Sequence, residues 1–140
     1  MKILVPVDGS AISLRAARFA IKLGKQLNKP ARITLLSVNL PLFPGVERKI
    51  GTTAVRRHYA ENHEQMLAEA RKVLARSGLE TSERTEIGDP AEMILDVAAK
   101  EHCNLIVMGS HGRSMVKGLL LGSVSSKVIA QGKVPVTIVR

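Results

Sequence analysis

The sequence is poor in cysteine and in aromatic residues, and each shortage excludes a class of structure. A single cysteine, Cys103, cannot form a disulfide within the chain and has no metal-ligand spacing around it, so we expect a buried thiol. With one tyrosine, two phenylalanines and no tryptophan, the core has to be built from aliphatic side chains. No apolar stretch approaches the roughly 20 residues that a membrane helix requires, so we expect no membrane span and a cytoplasmic location.

Acidic residues are absent from the whole stretch between Gly9 and Val46. Five basic residues recur within it at alternating steps of three and four, which predicts that they share one helix face: Arg15, Arg18, Lys22, Lys25 and Lys29. The formal net charge of the chain is +9, which permits binding to a polyanion. This face is therefore either a solvated surface opposite the core or a docking surface for an acidic partner or for phosphates.

The 140 residues suit one domain, and their apolar pattern alternates strand with helix. We predict strands at Ile3–Val7, Ile33–Val38, Thr81–Ile87, Leu105–Met108 and Val136–Val139, and helices at 12–27, Thr53–Ser77, 89–101 and Ser123–Gln131. Residues 39–51 contain prolines and glycines without a clear period and are predicted to be a loop. Helices between consecutive strands imply right-handed crossovers and a parallel sheet covered on both faces, which is an α/β fold.

Two strand ends carry residues that suit a binding site. Ligands of such sheets bind beyond the carboxyl ends of the strands, where the strand order reverses. The first strand ends in Asp8, which is either a ligand contact or only a turn residue before the first helix. The fourth runs into a glycine-rich loop from Gly109 to Ser123, and Gly122 precedes a helix whose free N–H groups favour phosphate. Neither a Walker A loop nor a dinucleotide-binding G-x-G-x-x-G motif is present.

The glycine-rich loop identifies a family resemblance. Residues 109–123 match the pattern G-x2-G-x9-G-[ST], and the loop resembles that of the universal stress protein family. The opening strand with its Asp8 turn and the closing residues 134–139 resemble the same family, so the likeness covers the whole chain in order. It implies a single universal stress protein domain over residues 1–140. The implied fold is a three-layer α/β/α arrangement of the adenine nucleotide alpha hydrolase-like type, with a five-stranded parallel sheet in the order 3-2-1-4-5.

The resemblance also implies an ATP site, because the loop keeps every position of the ATP-binding branch of the family. By position, the base lies among Pro6, Val7, Asp8, Val38 and Met108, the ribose near Gly109, and the phosphates at Gly112, Arg113, Gly122, Ser123, Val124 and Ser125. The implied cofactor is ATP with Mg²⁺ or Mn²⁺ held by the phosphates, without a protein metal ligand. The family pairs two subunits through its last strand, so a homodimer through Val136–Val139 is expected; an uncovered edge strand also invites such pairing.

These implications favour a nucleotide-dependent regulatory or stress-response module with at most slow ATP hydrolysis and no catalytic residue. One alternative is an ATP hydrolase or phosphotransferase using His111, since a histidine titrates near neutral pH. Against it, the sequence shows no carboxylate or nucleophile that pairs with His111. Another alternative is a polyanion-binding module using the basic face of the first helix, although nucleic acid is disfavoured by the lack of aromatic residues for base stacking. The remaining histidines, including His63, are predicted at helix surfaces or ends.

Overall fold

The computed structural model describes residues 1–113, 118 and 120–140 of the chain. Within them, the strands are β1 (Lys2–Pro6), β2 (Arg32–Asn39), β3 (Glu80–Ile87), β4 (Leu105–Gly109) and β5 (Val136–Val139). The helices are α1 (Ala11–Gln26), α2 (Val46–Ile50), α3 (Thr52–Ala75), α4 (Pro90–Lys100) and α5 (Ser123–Gln131).

The strands form one sheet in the order β3-β2-β1-β4-β5, and every neighbouring pair is parallel. This confirms the α/β fold and the strand order that the family resemblance implied. The order reverses between β1 and β4, so the carboxyl ends of these two strands lie side by side at the switch point. β3, predicted as a polar strand, occupies one edge and is almost entirely exposed.

Two aliphatic clusters hold the helices against opposite faces of the sheet. Alternate strand residues such as Ile3 and Ile33 pack with α1 and α3, whereas Leu4 and Ile106 pack with α4 and α5. The predicted aliphatic core is confirmed, and both phenylalanines are exposed. Cys103 is buried in the second cluster, and burial raises the pKa of its thiol. None of the helices among the described residues has the length and apolarity needed to cross a membrane.

The start of α4 shows how local sequence sets a helix boundary. Asp89 is the N-cap, and its carboxylate accepts a hydrogen bond from the Glu92 N–H at 3.1 Å. Pro90 occupies the first helical position, where its missing N–H costs nothing. The sequence predicted this cap because all of its determinants lie within four residues.

Two of the sequence predictions about elements were wrong. The predicted loop over 39–51 contains α2, a five-residue helix between Gly45 and Gly51, each with positive φ. Five residues are too few to show a helical period, which is why the pattern did not reveal it. α1 ends at Gln26, so Lys29 lies beyond the helix and does not extend the basic helix face.

Candidate functional site

β1 and β4 diverge at the switch point, and the space between their ends is the crevice expected of this architecture. β1 pairs with β2 over all five of its residues, but its register with β4 covers only Ile3 and Leu4. Beyond β1, the Val7 N–H still donates to the Leu36 carbonyl oxygen at 2.8 Å, so the chain continues along β2 and away from β4. The separation opens the sheet where ligands of this architecture bind.

Asp8 stands at one wall of this crevice and uses its two carboxylate oxygens differently. Oδ1 accepts a hydrogen bond from the Ser10 N–H at 2.9 Å, which forms the turn into α1. Ser10 is the actual N-cap, since its hydroxyl accepts from the Ser13 N–H at 3.2 Å. Oδ2 faces the glycine loop, where a Cβ atom added at Gly112 would lie 3.1 Å away. Asp8 is therefore a turn residue that also presents a carboxylate oxygen to the loop.

Arg113 connects the glycine loop to the turn after β1. Its Nε donates a hydrogen bond to the carbonyl oxygen of Asp8. The guanidinium lies against Gly9, whose added Cβ would be 3.2 Å from Nη2 and 3.1 Å from the Gln65 carbonyl oxygen. Gly9 also has a φ of +81°, which favours glycine. The cation predicted for phosphate contact is therefore placed at the mouth of the crevice, beside Asp8.

Gly109 has a packing role at the end of β4. A Cβ atom there would lie only 2.5 Å from Cγ2 of Ile12, a residue of the first turn of α1. A side chain at this position would force either the Ile12 side chain or α1 itself to shift. The glycine that the resemblance places near a ribose is therefore also required for the contact between α1 and β4.

The base of the glycine loop is closed at Ser110. Its carbonyl oxygen accepts one hydrogen bond from the Gly122 N–H at 2.6 Å and another from the Ser125 hydroxyl at 2.9 Å. Ser125 is buried, so its hydroxyl ties α5 to β4. Of the predicted loop, residues 114–117 and 119 lie outside the described residues.

The first turn of α5 begins at this junction, and no side chain caps it. The cap residue is Gly122, which has no side chain to accept from the first N–H groups, those of Ser123, Val124 and Ser125. Ser123 is exposed, so its hydroxyl is accessible beside those groups. Uncapped N–H groups and the positive end of the helix dipole together form an anion-binding arrangement.

The residues predicted around a base are only partly brought together. Val38 and Met108 pack in the same hydrophobic cluster, on the α4 and α5 face of the sheet. Val7 is buried in the cluster on the opposite face, so its side chain does not join theirs. Pro6 is the last residue of β1 and is half buried, with its register partner Leu36 in β2.

Sequence reasoning missed a buried contact between α3 and β2. His63 lies on α3, but it is half buried, and its Nδ1 is 2.7 Å from the hydroxyl of the fully buried Ser37. Burial lowers the pKa of His63, and the charge of Glu86 partly offsets this effect. His63 also lines a cavity of about 480 Å³ that Arg71 shares. The available signal was spacing, because His63 falls four residues before the buried Leu67 on the inward row of α3.

His111 follows Ser110 directly and contacts it. Its Nδ1 lies 3.0 Å from the Ser110 hydroxyl, within hydrogen-bonding distance. Among the residues that the structure describes, no group of three or more histidine, cysteine or carboxylate side chains is arranged to hold a metal ion.

Comparison with known proteins agrees with the fold. The model of the universal stress protein family matches residues 1–140. The chain belongs to that family. Universal stress protein MJ0531 of Methanocaldococcus jannaschii is 30% identical over 139 residues, covering 99% of this chain and 81% of the relative. Universal stress protein MJ0577 of the same organism has a solved structure of the same fold, with a TM-score of 0.81, 29% identity and coverage of 99% and 94%.

A second solved member of the universal stress protein family is a complex with cAMP. It aligns with a TM-score of 0.73 and 26% identity, over 100% of this chain and 97% of that one. Family members thus include a protein that holds an adenine nucleotide on this fold.

The contact between Gly109 and Ile12 can be tested by a double-mutant cycle. We expect Gly109→Ala to lower the free energy of unfolding by about 1–3 kcal/mol, because the new methyl group overlaps Cγ2 of Ile12. Ile12→Ala removes that atom, so the double variant should be at least about 1 kcal/mol more stable than the two single effects predict. Urea unfolding of the four proteins measures this coupling, and simple additivity would contradict the proposed overlap.

Proposed function

We propose that this universal stress protein binds ATP in the crevice between the ends of β1 and β4. The observation that carries the proposal is the uncapped start of α5, which lies at the switch point beside the glycine loop. A cAMP complex of a related family member supports an adenine nucleotide as the ligand class. The proposed function is that of a nucleotide-dependent regulatory module of the stress response, acting in the cytoplasm.

The phosphates are proposed to occupy the start of α5. The N–H groups of Ser123, Val124 and Ser125 supply hydrogen-bond donors, and the exposed Ser123 hydroxyl adds another. Gly112 has no side chain between the loop backbone and the ligand, and Arg113 contributes a positive charge. Because Mg²⁺ and related hard cations readily take phosphate oxygens and water as ligands, the metal is proposed to arrive with the nucleotide.

The base and ribose are proposed to lie deeper in the crevice. Val38 and Met108, which share one apolar cluster, suit one side of a flat base. The backbone at Pro6, Val7 and Asp8 is proposed to border the other side, although the Val7 N–H and the Asp8 carbonyl oxygen already have partners in Leu36 and Arg113. The ribose is proposed to lie near the Gly109 backbone, as the family resemblance implies, away from the side that Ile12 fills. The Val7 side chain takes no part in this arrangement, since it is buried toward α1.

Binding rather than turnover is the proposed role of the nucleotide. Phosphoryl transfer requires a metal-binding carboxylate, a residue that positions or activates the nucleophile, and charge that stabilises the transition state. Asp8, His111 and Arg113 are the side chains of these types in the described site, and Asp8 and Arg113 are already engaged in the β1–α1 turn. We therefore propose at most slow hydrolysis.

A homodimer through β5 is proposed from the main-chain groups at its free edge. The carbonyl oxygens of Pro135 and Val139 accept hydrogen bonds from the N–H groups of Ile106 in β4 and of Ser110 just after it. Backbone groups of alternate residues point to the same side of a strand. Since those of Pro135 and Val139 face β4, those of Val136 and Ile138 face the open edge. A second β5 could pair with them in antiparallel orientation.

The nucleotide site is tested by calorimetric titration with ATP and Mg²⁺. A valine at Gly122 would crowd the Ser110 carbonyl and His111 Cα, each 3.3 Å from an added Cβ, so Gly122→Val should abolish binding. Ser123→Ala is the milder variant and should weaken binding about tenfold, as expected for loss of a hydrogen bond to a charged group. Ser126→Ala, an exposed serine later in α5, is the matched control. A folded parent protein that binds no adenine nucleotide would refute the proposal.

The enzymatic alternative is tested by His111→Ala. Since we propose no catalytic role for His111, this variant should bind ATP normally and keep its slow hydrolysis rate within about twofold. The matched control is His58→Ala, which removes an exposed histidine of α3. A general acid or base contributes about a hundredfold or more, so a loss of that size with intact binding would establish the hydrolase or phosphotransferase function.

The dimer is tested by sedimentation of Val136→Pro beside Val136→Ala. The proline removes an N–H from the open edge of β5, whereas alanine shortens the side chain and keeps the N–H. We expect the parent and Val136→Ala to sediment at twice the 15.1 kDa of one chain, and Val136→Pro to shift toward the monomer. A parent that remains monomeric at micromolar concentration would rule out this interface.

A further inference from the structure

Charge is divided unevenly along the chain. Asp8 is the only one of the 12 acidic residues outside the segment 47–101, whereas basic residues continue on both sides of that segment. The segment forms most of α2, together with α3, β3 and α4, and its basic residues nearly balance its acidic ones. The rest of the chain, which includes α1 and α5, therefore carries the excess positive charge.

The outward face of α1 concentrates this charge. Arg15, Arg18, Lys22 and Lys25 are all exposed, opposite the buried positions of the helix such as Ala20. Among the described residues, no Asp or Glu carboxylate lies within ion-pair distance of these four cations, and Arg15 Nε donates a hydrogen bond to the backbone oxygen of Arg140 at 3.2 Å. At a rise of 1.5 Å per residue, they form a row about 15 Å long.

An exposed aromatic residue lies within this row. Phe19 is 39% exposed, although the whole chain has only three aromatic residues. It is four residues after Arg15 and three before Lys22, so the cations flank it on the helix surface. Aromatic residues and arginine are enriched at protein interfaces, so Phe19 beside Arg15 and Arg18 has the composition of a protein-binding surface, and the lysines add charge that attracts an acidic partner.

The presence of Phe19 separates two classes of polyanion. A nucleic-acid duplex presents phosphates to such a surface, and its backbone gains little from a phenylalanine. An acidic protein surface with an apolar depression gains both from the cations and from burial of the ring. A single strand stacks its successive bases on several aromatic side chains, and this row contains one, so the combination favours a protein partner.

We propose that the outward face of α1, formed by Arg15, Arg18, Phe19, Lys22 and Lys25, is a docking surface for an acidic protein. The cations attract and orient the partner, and Phe19 inserts into its apolar depression. The surface lies on the helix that begins at the Asp8 turn, but docking at it does not depend on the nucleotide.

The proposal is tested with a synthetic helical peptide that carries glutamates on one face and leucines on the other. Its binding to the full chain is measured by fluorescence anisotropy at about 150 mM salt, where contacts beyond about 8 Å are largely screened. The test variant is Arg18→Glu/Lys22→Glu/Lys25→Glu. The matched control, Arg48→Glu/Lys49→Glu/Arg57→Glu, reverses three exposed basic residues of α2 and α3 and so produces the same net charge. Circular dichroism verifies that each variant folds.

We expect the α1 variant to weaken peptide binding more than about tenfold and the control to stay within about twofold. Phe19→Ala should weaken it about tenfold as well, because a central aromatic contact is lost. Equal losses in both triple variants would overturn the proposal by showing a dependence on net charge alone. Tighter binding of a random 20-base-pair DNA duplex, unaffected by Phe19→Ala, would assign the surface to nucleic acid. If the parent protein binds no peptide, the face is only a solvated helix surface and the proposal is overturned.

Discussion

The backbone of Ser110 joins the end of β4 to α5 and β5 beside the point where the strand order reverses, and the candidate site depends on this junction. Its carbonyl oxygen accepts hydrogen bonds from the Gly122 N–H and from the Ser125 hydroxyl, both at the start of α5. The Ser110 N–H donates to the Val139 carbonyl oxygen, which links β5 to the same residue. The direction of α5, and with it the direction of its uncapped N–H groups, follows from these bonds to the end of β4.

A second set of contacts builds the opposite wall of the crevice and ties it to the first. Ile12 packs against Gly109, so the start of α1 is set by the end of β4. Arg113 reaches from the glycine loop to the Asp8 carbonyl, which connects the loop to β1. Because α1 begins at this wall and carries the basic face with Phe19, the crevice and the proposed docking surface share one helix.

Sequence patterns predicted those features whose determinants are close together in the chain. The cap of α4 needs only Asp89 and the three residues after it, and four of the five strands are short apolar runs that the local sequence identifies, while β3 is polar. The strand order came from the family resemblance, since apolar periodicity does not rank strands across a sheet. Contacts between distant segments stayed hidden: Ser37 and His63 are 26 residues apart, and the role of Ser125 depends on a carbonyl 15 residues earlier. Lys29 continued the helical spacing of the basic residues, but the helix had already ended.

Contacts in the structure separate the loop residues that packing explains from those that a bound nucleotide would explain better. Packing alone is a sufficient reason for glycine at 109, where a Cβ would meet Ile12, and it favours glycine at 122, where the backbone of Ser110 and His111 is close. The buried Ser125 hydroxyl is explained by its bond to Ser110. Gly112 and Ser123 differ, because both are exposed and the nearest atom to an added Cβ at Gly112 is the movable carboxylate of Asp8. The fold makes little demand on these two positions, so their match to the ATP-binding pattern is the stronger argument for a ligand at this loop.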